Sequence, residues 1–332
     1  MREFFVAQMD YVFLVYGLAF IVLALAAFFI FRAKPAKVLW KWIALFGLIH
    51  GIAEWLDMLA LSLGNSVPLN TLRMTFLTSS FLCFVEVIRL GARKRWGKIF
   101  GVWFYGPLLF ITLGFGWILG GFDGANILSR YVFGVLGGFM VAGILLESSA
   151  VQEKEIKSRT LPVFAWLLGV YSATQFFPPK GTFLPASMIN QEMFLSFAGF
   201  PVQLLRMFLA TALAGLVWEE YALQRRKMAM GTETKNQFRK EFWFPLGLAV
   251  VLFIGWIASG VFGQDRAVEE SNDRLNRVKV AAAMIDPDDI RALSGTSADV
   301  QNSHYQHILG QFLNILQDAP DTIYVYLFGQ KN

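Results

Sequence analysis

The sequence predicts an all-α polytopic membrane protein, and three observations support this fold class. The chain of 332 residues is 56% hydrophobic and only 16% charged, whereas soluble domains carry about 25% charged residues. Eight apolar segments are long enough to cross a bilayer. Basic residues are concentrated in every second connection between these segments, which is the pattern of a multi-pass topology.

Seven of the expected spans lie in the first two thirds of the chain, and an eighth follows a polar stretch. They are 17 to 25 residues long and mostly apolar, close to the roughly 20 residues that cross a bilayer core as a helix. The expected spans are Tyr11–Phe31, Trp42–Leu63, Leu69–Ile88, Phe100–Leu119, Ile127–Leu146, Leu161–Phe177, Phe194–Trp218 and Trp243–Phe262.

The distribution of lysine and arginine predicts the orientation. The connections after the first, third, fifth and seventh spans hold most of the basic residues. The opposite connections hold few, among them Arg73 and Arg130, and we expect Arg130 to anchor the fifth span at the outer interface. By the positive-inside rule the N-terminus lies outside the cell, the protein resides in the cell (inner) membrane, and residues 263–332 are extracytoplasmic.

The composition divides the chain into four parts. A seven-span bundle (1–223) is followed by a cytoplasmic linker (224–242), the eighth transmembrane helix (243–262) and an outer segment (263–332). In the outer segment, Asp286 followed by Pro287 predicts the start of a helix, and Ile323–Phe328 is typical of a buried strand. One strand cannot form a stable sheet, so we expect an incomplete α+β domain that continues beyond residue 332.

Several classes of function are disfavoured. The net charge of +5 comes from basic residues in short loops without interleaved aromatic residues, so no nucleic-acid partner is expected. Cys83 is the one cysteine, which excludes an intramolecular disulfide or a thiolate metal centre. The sequence contains no phosphate-binding loop, GxSxG or HExxH motif. No catalytic residue is therefore assigned.

The second span carries an unusual polar face. His50, Glu54 and Asp57 are spaced by four and three residues, so they share one side of a helix. Ionisable groups at that depth cost several kcal/mol unless they are paired, and they usually face the interior of a bundle. Gly47 and Gly51 form a small-xxx-small pair that allows a neighbouring helix to approach closely.

Arg206, near the middle of the seventh span, is the predicted partner of this face. A guanidinium in the bilayer needs an anionic partner, and we expect Glu54 to be the first choice and Asp57 the second. Gln203 lies one turn before Arg206, and Pro201 should kink the outer part of the helix. A kinked helix beside buried charges predicts a pocket for a small ligand or ion.

Two alternatives remain open for these residues. The polar groups could serve only to lock two helices together, or His50 could bind a metal or haem, although a single histidine gives little support and no cofactor is expected. In the outer segment, His304 and His307 have a spacing that suits a metal, but a solvated helix face is the favoured interpretation.

The sequence resembles a known class of proteins. HGIAEWLD (His50–Asp57) and GFPVQLLR (Gly199–Arg206) are similar to the membrane region of multi-pass bacterial sensors, typically histidine kinases and sometimes diguanylate cyclases. AAAMIDPDDIRALSGTSADV, followed by a helix and IYVYLFG, resembles the start of a Cache-type (extracytoplasmic PAS-like) domain. The resemblance implies a two-component signalling protein whose output domain is absent from these residues.

The resulting hypothesis is a signal-input region. A small ligand, ion or proton would be detected in the bundle or the outer domain, in a homodimer embedded in the bilayer. A downstream response regulator is implied if the complete protein is a sensor histidine kinase. The alternatives are a transporter or channel-like permease and a structural membrane scaffold.

Overall fold

The computed structural model of the chain describes residues 8–33, 38–64, 66–96, 101–152, 160–229 and 285–318, with isolated positions at 5, 275–276, 279–280 and 282–283. All regular structure in these ranges is helical. The chain separates into two compact units, Met1–Ser259 and Gly260–Asn332. The predicted eighth span, most of the linker and the strand Ile323–Phe328 lie outside the described residues.

The described residues of the first unit form eight α-helices. Two irregular helical segments accompany them: a 3₁₀ turn at Val102–Phe104 and a π-helical segment at Arg130–Leu136. The α-helices are α1 (Met9–Ala33), α2 (Val38–Leu63), α3 (Val67–Trp96), α4 (Tyr105–Ser129), α5 (Gly137–Gln152), α6 (Thr160–Thr174), α7 (Gln191–Ala198) and α8 (Val202–Ala229).

Five helical runs in the described residues are long and apolar enough to cross a membrane, so the chain has the structure of a multi-pass membrane protein. These runs are Met9–Arg32, Val38–Leu61, Val67–Arg93, Val102–Glu147 and Val202–Arg225. Large apolar side chains on their outer faces are exposed, including Phe110 (80%) and Ile118 (79%). Such faces suit a lipid environment, because contact between apolar side chains and hydrocarbon tails carries no solvation penalty.

The run Val102–Glu147 contains the predicted fourth and fifth spans. Its 46 residues are interrupted at Gly120–Gly121, where Gly121 has φ +60° and ψ −136°, a conformation that only glycine adopts readily. The chain reverses its direction there. This is seen from the close approach of the two halves: a Cβ on Gly116 would lie 2.6 Å from the Cα of Ala125. Residues nine positions apart on one straight helix would be about 13 Å apart.

Six of the helices form a closed ring. In order, α1, α2, α3, α5, α6 and α8 each contact the next, and α8 contacts α1. The interior of this ring is filled by fully buried aromatic side chains, which are Tyr16, Phe20, Phe46, Phe81, Phe84 and Tyr171. The ring therefore encloses an interior to which four different helices contribute aromatic groups.

The contact between α1 and α2 is exceptionally close. A Cβ on Gly51 would lie 2.8 Å from the Gly17 carbonyl oxygen, and one on Gly47 would lie 2.8 Å from the Phe20 carbonyl oxygen. Because the two backbones touch at these points, the polar face of α2 is held tightly against α1.

The predicted kink at Pro201 is a complete break in the helix. α7 ends at Ala198, and Gly199, which has φ +76°, is its left-handed C-cap. α8 then begins at Val202, immediately after Pro201, which lacks the backbone N–H that a continuous helix would use.

The second unit contributes two short α-helices among its described residues, α9 (Pro287–Arg291) and α10 (Ser303–Asp318), with a 3₁₀ turn at Ser297–Gln301 between them. The predicted start of α9 is confirmed, because the Asp286 side chain accepts a hydrogen bond from the backbone N–H of Asp288 and Pro287 opens the helix. Within the described ranges no strand accompanies these helices.

Gly51→Ala should lower the free energy of unfolding by about 1–3 kcal/mol, because the added methyl group meets backbone atoms that cannot move independently of α1. The measurement is the midpoint of thermal unfolding in detergent. Gly215→Ala on α8 is the matched control, since a Cβ there meets nothing within 4 Å. Equal midpoints for the two variants would contradict the close packing of α1 on α2.

Candidate functional site

His50 occupies the centre of the helix ring. Its side chain is fully buried (0% exposed). The rings of Phe20, Phe46 and Phe81 surround the imidazole, with centroids 4.6, 5.1 and 5.2 Å away. A polar ring in such surroundings is stable only if both nitrogens are hydrogen-bonded.

Both nitrogens of His50 do have partners, and these come from other helices. Nδ1 lies 2.8 Å from the Ser80 Oγ on α3, and Nε2 lies 2.7 Å from the Tyr171 hydroxyl on α6. The Tyr171 hydroxyl in turn lies 2.7 Å from the Tyr16 hydroxyl on α1. His50 thus connects four helices of the ring through one chain of hydrogen bonds.

The direction of these hydrogen bonds follows from counting protons. The Ser80 hydroxyl donates its hydrogen to the Leu77 carbonyl oxygen at 2.6 Å, so it must accept from His50 Nδ1, which carries a proton. In the neutral imidazole Nε2 is then an acceptor for the Tyr171 hydroxyl. Tyr171 can accept from Tyr16, which completes a chain in which each hydrogen is used once.

Glu54 lies beside this chain. It is 4% exposed, its Oε1 is 3.3 Å from His50 Nε2, and the Tyr16 hydroxyl is next to it. At this distance a proton on either Nε2 or Oε1 would be hydrogen-bonded to the other atom. The pair His50–Glu54 can therefore hold one exchangeable proton in the interior of the bundle.

Arg206 is buried (3% exposed), but the predicted ion pair with Glu54 or Asp57 is wrong. Its guanidinium donates to the Thr174 carbonyl oxygen at 2.7 Å, to the Phe177 carbonyl oxygen at 3.0 Å and to the Thr174 hydroxyl at 3.2 Å. α6 ends at Thr174, and the last carbonyl groups of a helix have no partners within it. Arg206 therefore contacts the last residue of α6 and the turn that follows it, where backbone N–H groups of residues 175–177 also donate to the carbonyl groups of residues 172–174.

Asp57 has a partner that the sequence did not indicate. Arg73 on α3 donates from Nε to the Asp57 carboxylate at 2.5 Å and from Nη1 to the Asn70 side chain at 3.1 Å. Residues 16 positions apart meet because α2 and α3 are antiparallel neighbours joined by a short turn. Asp57 lies about one turn closer to the C-terminal end of α2 than Glu54 and about two turns closer than His50.

Arg130 lies in the protein interior and does not act as the interfacial anchor predicted from the sequence. It is 6% exposed, and it donates from Nε to Asn126 at 3.0 Å and from Nη1 to the Gln175 Oε1 at 2.8 Å. The reversal at Gly120–Gly121 turns this face of the helix inward. The sequence signal was present, because an arginine adjoining a long apolar run needs a partner.

A cavity of about 540 Å³ lies at one end of the bundle, within the range of small-ligand sites. Its walls come from the N-terminal ends of α1, α3 and α8, the C-terminal end of α2 and the middle of the α4 run. Its polar lining consists of Asp57, Asn70, Arg73, Asp123, Asn126, Arg130, Gln191 and Gln203, and its apolar lining includes Phe13, Ala60, Leu61, Met74, Leu77 and Phe122.

The structure divides the predicted site residues into two groups. Asp57 and Gln203 line the cavity, and the Gln203 amide donates to the Gln191 side chain at 3.0 Å. His50, Glu54 and Arg206 lie deeper, and Pro201, Gly47 and Gly51 shape the helices around them. Arg73 and Arg130 are the functional candidates that sequence reasoning assigned elsewhere.

No group of three or more His, Cys, Asp or Glu side chains in the described ranges is arranged to hold a metal ion. A metal or haem iron at His50 would have to displace the Ser80 or the Tyr171 hydrogen bond. His304 and His307 on α10 instead place their Nδ1 atoms 2.6 Å from the two carboxylate oxygens of Asp289 on α9. These contacts bind the two helices of the second unit together.

Tyr171→Phe should lower the free energy of unfolding by about 1–3 kcal/mol, because it leaves His50 Nε2 and the Tyr16 hydroxyl buried with one partner fewer. Thermal unfolding in detergent measures the change. Tyr11→Phe is the control, as the Tyr11 hydroxyl has no hydrogen bond within the described part of the chain. A Tyr171→Phe protein as stable as the control would show that the chain of hydrogen bonds contributes nothing.

The packing of α9 against α10 should become less stable in acid, because it depends on the ionised carboxylate of Asp289. Hydrogen bonds from His304 and His307 hold the pKa of Asp289 below its ordinary value. The resulting stabilisation is complete above the unfolded pKa of ~3.9 and is lost as the pH falls through the lowered folded pKa.

Hydrogen exchange of residues 285–318 tests this expectation. Protection in wild type should exceed that in Asp289→Asn at about pH 5, and the difference should shrink towards about pH 2.5. Asp288→Asn, which alters an exposed carboxylate of the same helix, should follow wild type. Equal protection of wild type and Asp289→Asn at the higher pH would refute the role of Asp289.

No protein family, curated protein or solved structure matches this chain. The site must therefore be interpreted from its own geometry. That geometry is a polar cavity at one end of a membrane bundle, above an interior chain of hydrogen bonds that joins four helices.

Proposed function

We propose that this chain is the signal-input region of a membrane signal-transduction protein and that a small ligand binds in the cavity. The observation that supports the proposal is the lining of the cavity, where polar groups from α2, α3, α8 and the α4 run converge. A ligand that contacts all of these elements would favour one arrangement of the helices over another, which is the physical requirement for a switch.

α8 is the element best placed to carry the response. Gln203, in its first turn, lines the cavity, and the helix continues for 28 residues to Ala229. That length is about 42 Å, more than the ~30 Å thickness of the hydrocarbon core. Because the break at Gly199–Pro201 separates α8 from α7, a small shift at the cavity can move α8 as a rigid body.

The proposal includes a topology. The N-terminus and the cavity face the outside of the cell membrane, seven spans are followed by an eighth at 243–262, and residues 263–332 belong to a Cache-like outer domain. The uneven distribution of basic residues and the reversal at Gly120–Gly121 support this arrangement. The output that this proposal implies is a histidine kinase or diguanylate cyclase acting in a dimer.

A permease is the second candidate, because broken helices beside buried charges are typical of transporter sites. Flux of a bound solute in proteoliposomes distinguishes the two functions. A purely structural scaffold is less well supported, since a protein that needs only rigid packing gains nothing from a cavity of this size.

Leu61→Trp should abolish small-ligand binding while leaving the fold intact. Leu61 lines the cavity and is 47% exposed, so the larger ring can occupy the space without displacing the packed interior. The measurement is ligand-induced protection of α8 from hydrogen exchange, in nanodiscs, for compounds selected by thermal shift.

Leu72→Trp is the matched control, because Leu72 is similarly exposed (43%) but does not line the cavity. It should respond to ligand as wild type does. A ligand that protects α8 equally in both variants would place its site elsewhere, and transmembrane flux of that ligand would replace the sensor proposal with a permease.

A further inference from the structure

We infer that the interior of the bundle is a proton-binding site, in which Glu54 takes up one proton beside His50. This inference goes beyond the proposed function, because it assigns a signal to the interior and requires no ligand in the cavity. It depends on the distances between buried polar atoms and on the number of hydrogens that those atoms carry.

The polar contacts around His50 outnumber the hydrogens available to them. With His50 neutral and Glu54 ionised, the contacting groups carry four hydrogens, one each on His50, Ser80, Tyr16 and Tyr171. Five contacts need a hydrogen: Ser80 Oγ to the Leu77 carbonyl oxygen at 2.6 Å, Nδ1 to Ser80 Oγ at 2.8 Å, Nε2 to the Tyr171 hydroxyl at 2.7 Å, Tyr171 to Tyr16 at 2.7 Å, and Nε2 to Glu54 Oε1 at 3.3 Å. The last contact is attractive only with one further proton, since two lone pairs repel each other.

Glu54 is the group that holds this fifth hydrogen. Placing it on Nε2 would create an imidazolium ion and a carboxylate, and an apolar interior disfavours both. A protonated carboxyl group is uncharged, and it can donate to Nε2 or to the neighbouring Tyr16 hydroxyl. His50, Tyr171, Tyr16 and Glu54 then form a closed ring in which every hydrogen has an acceptor.

The charges around this ring act on Glu54 in opposite directions. Burial favours the neutral carboxyl group, whereas the two buried guanidinium groups favour the carboxylate. The Asp57 carboxylate favours the neutral form, but it is paired with Arg73. Because the influences oppose one another, a change of pH can shift the balance. The titratable and charged groups that face the ring are Tyr16 on α1, Asp57 on α2, Arg73 on α3, Arg130 in the π-helical segment, Tyr171 on α6 and Arg206 on α8.

The cavity provides a route for the proton. Ala53 and Asp57 lie within one turn of Glu54 on α2, and both line the cavity. Glu54 itself is buried (4% exposed), so exchange of its proton requires a local opening of this part of α2. The interior therefore responds to the pH on the side of the membrane to which the cavity opens.

Loss of the proton breaks the bond between α1 and α6. A carboxylate accepts a hydrogen bond more strongly than a phenol oxygen does, so the Tyr16 hydrogen turns from Tyr171 towards Glu54. The two hydroxyl oxygens, 2.7 Å apart, are then left without a hydrogen between them and repel each other. Binding of the proton thus favours the arrangement in which α1 and α6 are joined.

Infrared spectroscopy of the full chain in nanodiscs tests the inference directly, with the pH varied between about 5 and 9. Acid-minus-alkaline difference spectra of wild type should contain the carbonyl stretch of a protonated carboxyl group, and Glu54→Gln should remove it. Glu86→Gln is the matched control and should retain the band, because Glu86 is similarly buried (8% exposed) but accepts two hydrogen bonds from Arg89. A wild type without such a band, or a band that survives Glu54→Gln, would overturn the inference.

Tyr16→Phe gives a second spectroscopic test that does not need Glu54 to be replaced. It removes an acceptor of the Glu54 proton, so the carbonyl stretch should move to a higher wavenumber. A purely structural role of Tyr16 would leave the position of the band unchanged, and that result would count against the ring.

The thermal midpoint supplies a readout of the helix packing. Glu54→Gln has amide hydrogens at every pH and keeps the ring closed, whereas wild type loses one hydrogen as the pH rises. Relative to this variant, the wild-type midpoint should fall by about 2–4 °C between about pH 5 and about pH 9, which corresponds to one hydrogen bond. The comparison cancels the groups that titrate in both proteins, so a difference that is independent of pH would refute the inference.

The outcomes separate the inference from the proposed function. If Glu54 does not titrate, the interior is structural only, and the cavity proposal, which Leu61→Trp and Leu72→Trp test, is unaffected. If Glu54 titrates and ligands protect α8 equally in both of those variants, the proton site stands and the cavity proposal fails.

Discussion

The structure depends on the cost of burying His50. A polar ring enclosed by phenylalanine side chains must have both nitrogens hydrogen-bonded, and the partners come from α3 and α6, with Tyr16 of α1 as the next member of the chain. The need to hydrogen-bond both nitrogens therefore constrains the rotation of these four helices about their axes and their positions along the bundle axis. Apolar packing between membrane helices would specify these rotations only weakly, since lipid competes equally well for apolar surface.

The cavity and the buried chain are connected through charge. Arg130 and Arg206 place two cations near Glu54, and neutral oxygen atoms solvate both guanidinium groups. Arg206 has a structural role, because its guanidinium joins α8 to the Thr174 and Phe177 carbonyl oxygens at the end of α6 and in the turn after it. Arg130 differs because it lies on the cavity wall next to an unsatisfied amide.

The polar positions were predictable from the sequence, but most of their partners were not. His50, Glu54 and Arg206 could be identified as interior residues because ionisable groups in apolar helices are costly anywhere else. The expected pairing of Glu54 with Arg206 is wrong, because the Thr174 and Phe177 carbonyl oxygens accept from the guanidinium instead. Arg130 was placed at the interface because its position beyond the reversal at Gly120–Gly121 depends on tertiary structure.

The sequence alone determined that this chain is helical, that it belongs in a membrane and that a few polar residues must be enclosed. Those properties follow from the apolar content of each segment and the solvation energy of each side chain, which are local. Only the tertiary structure decided which residues meet: His50 contacts Tyr171 across 121 positions of the chain, and Asp57 meets Arg73. Hydrogen-bond and ion partners depend on the rotation and depth of separate helices, and the cavity exists only where their ends fail to close around one another.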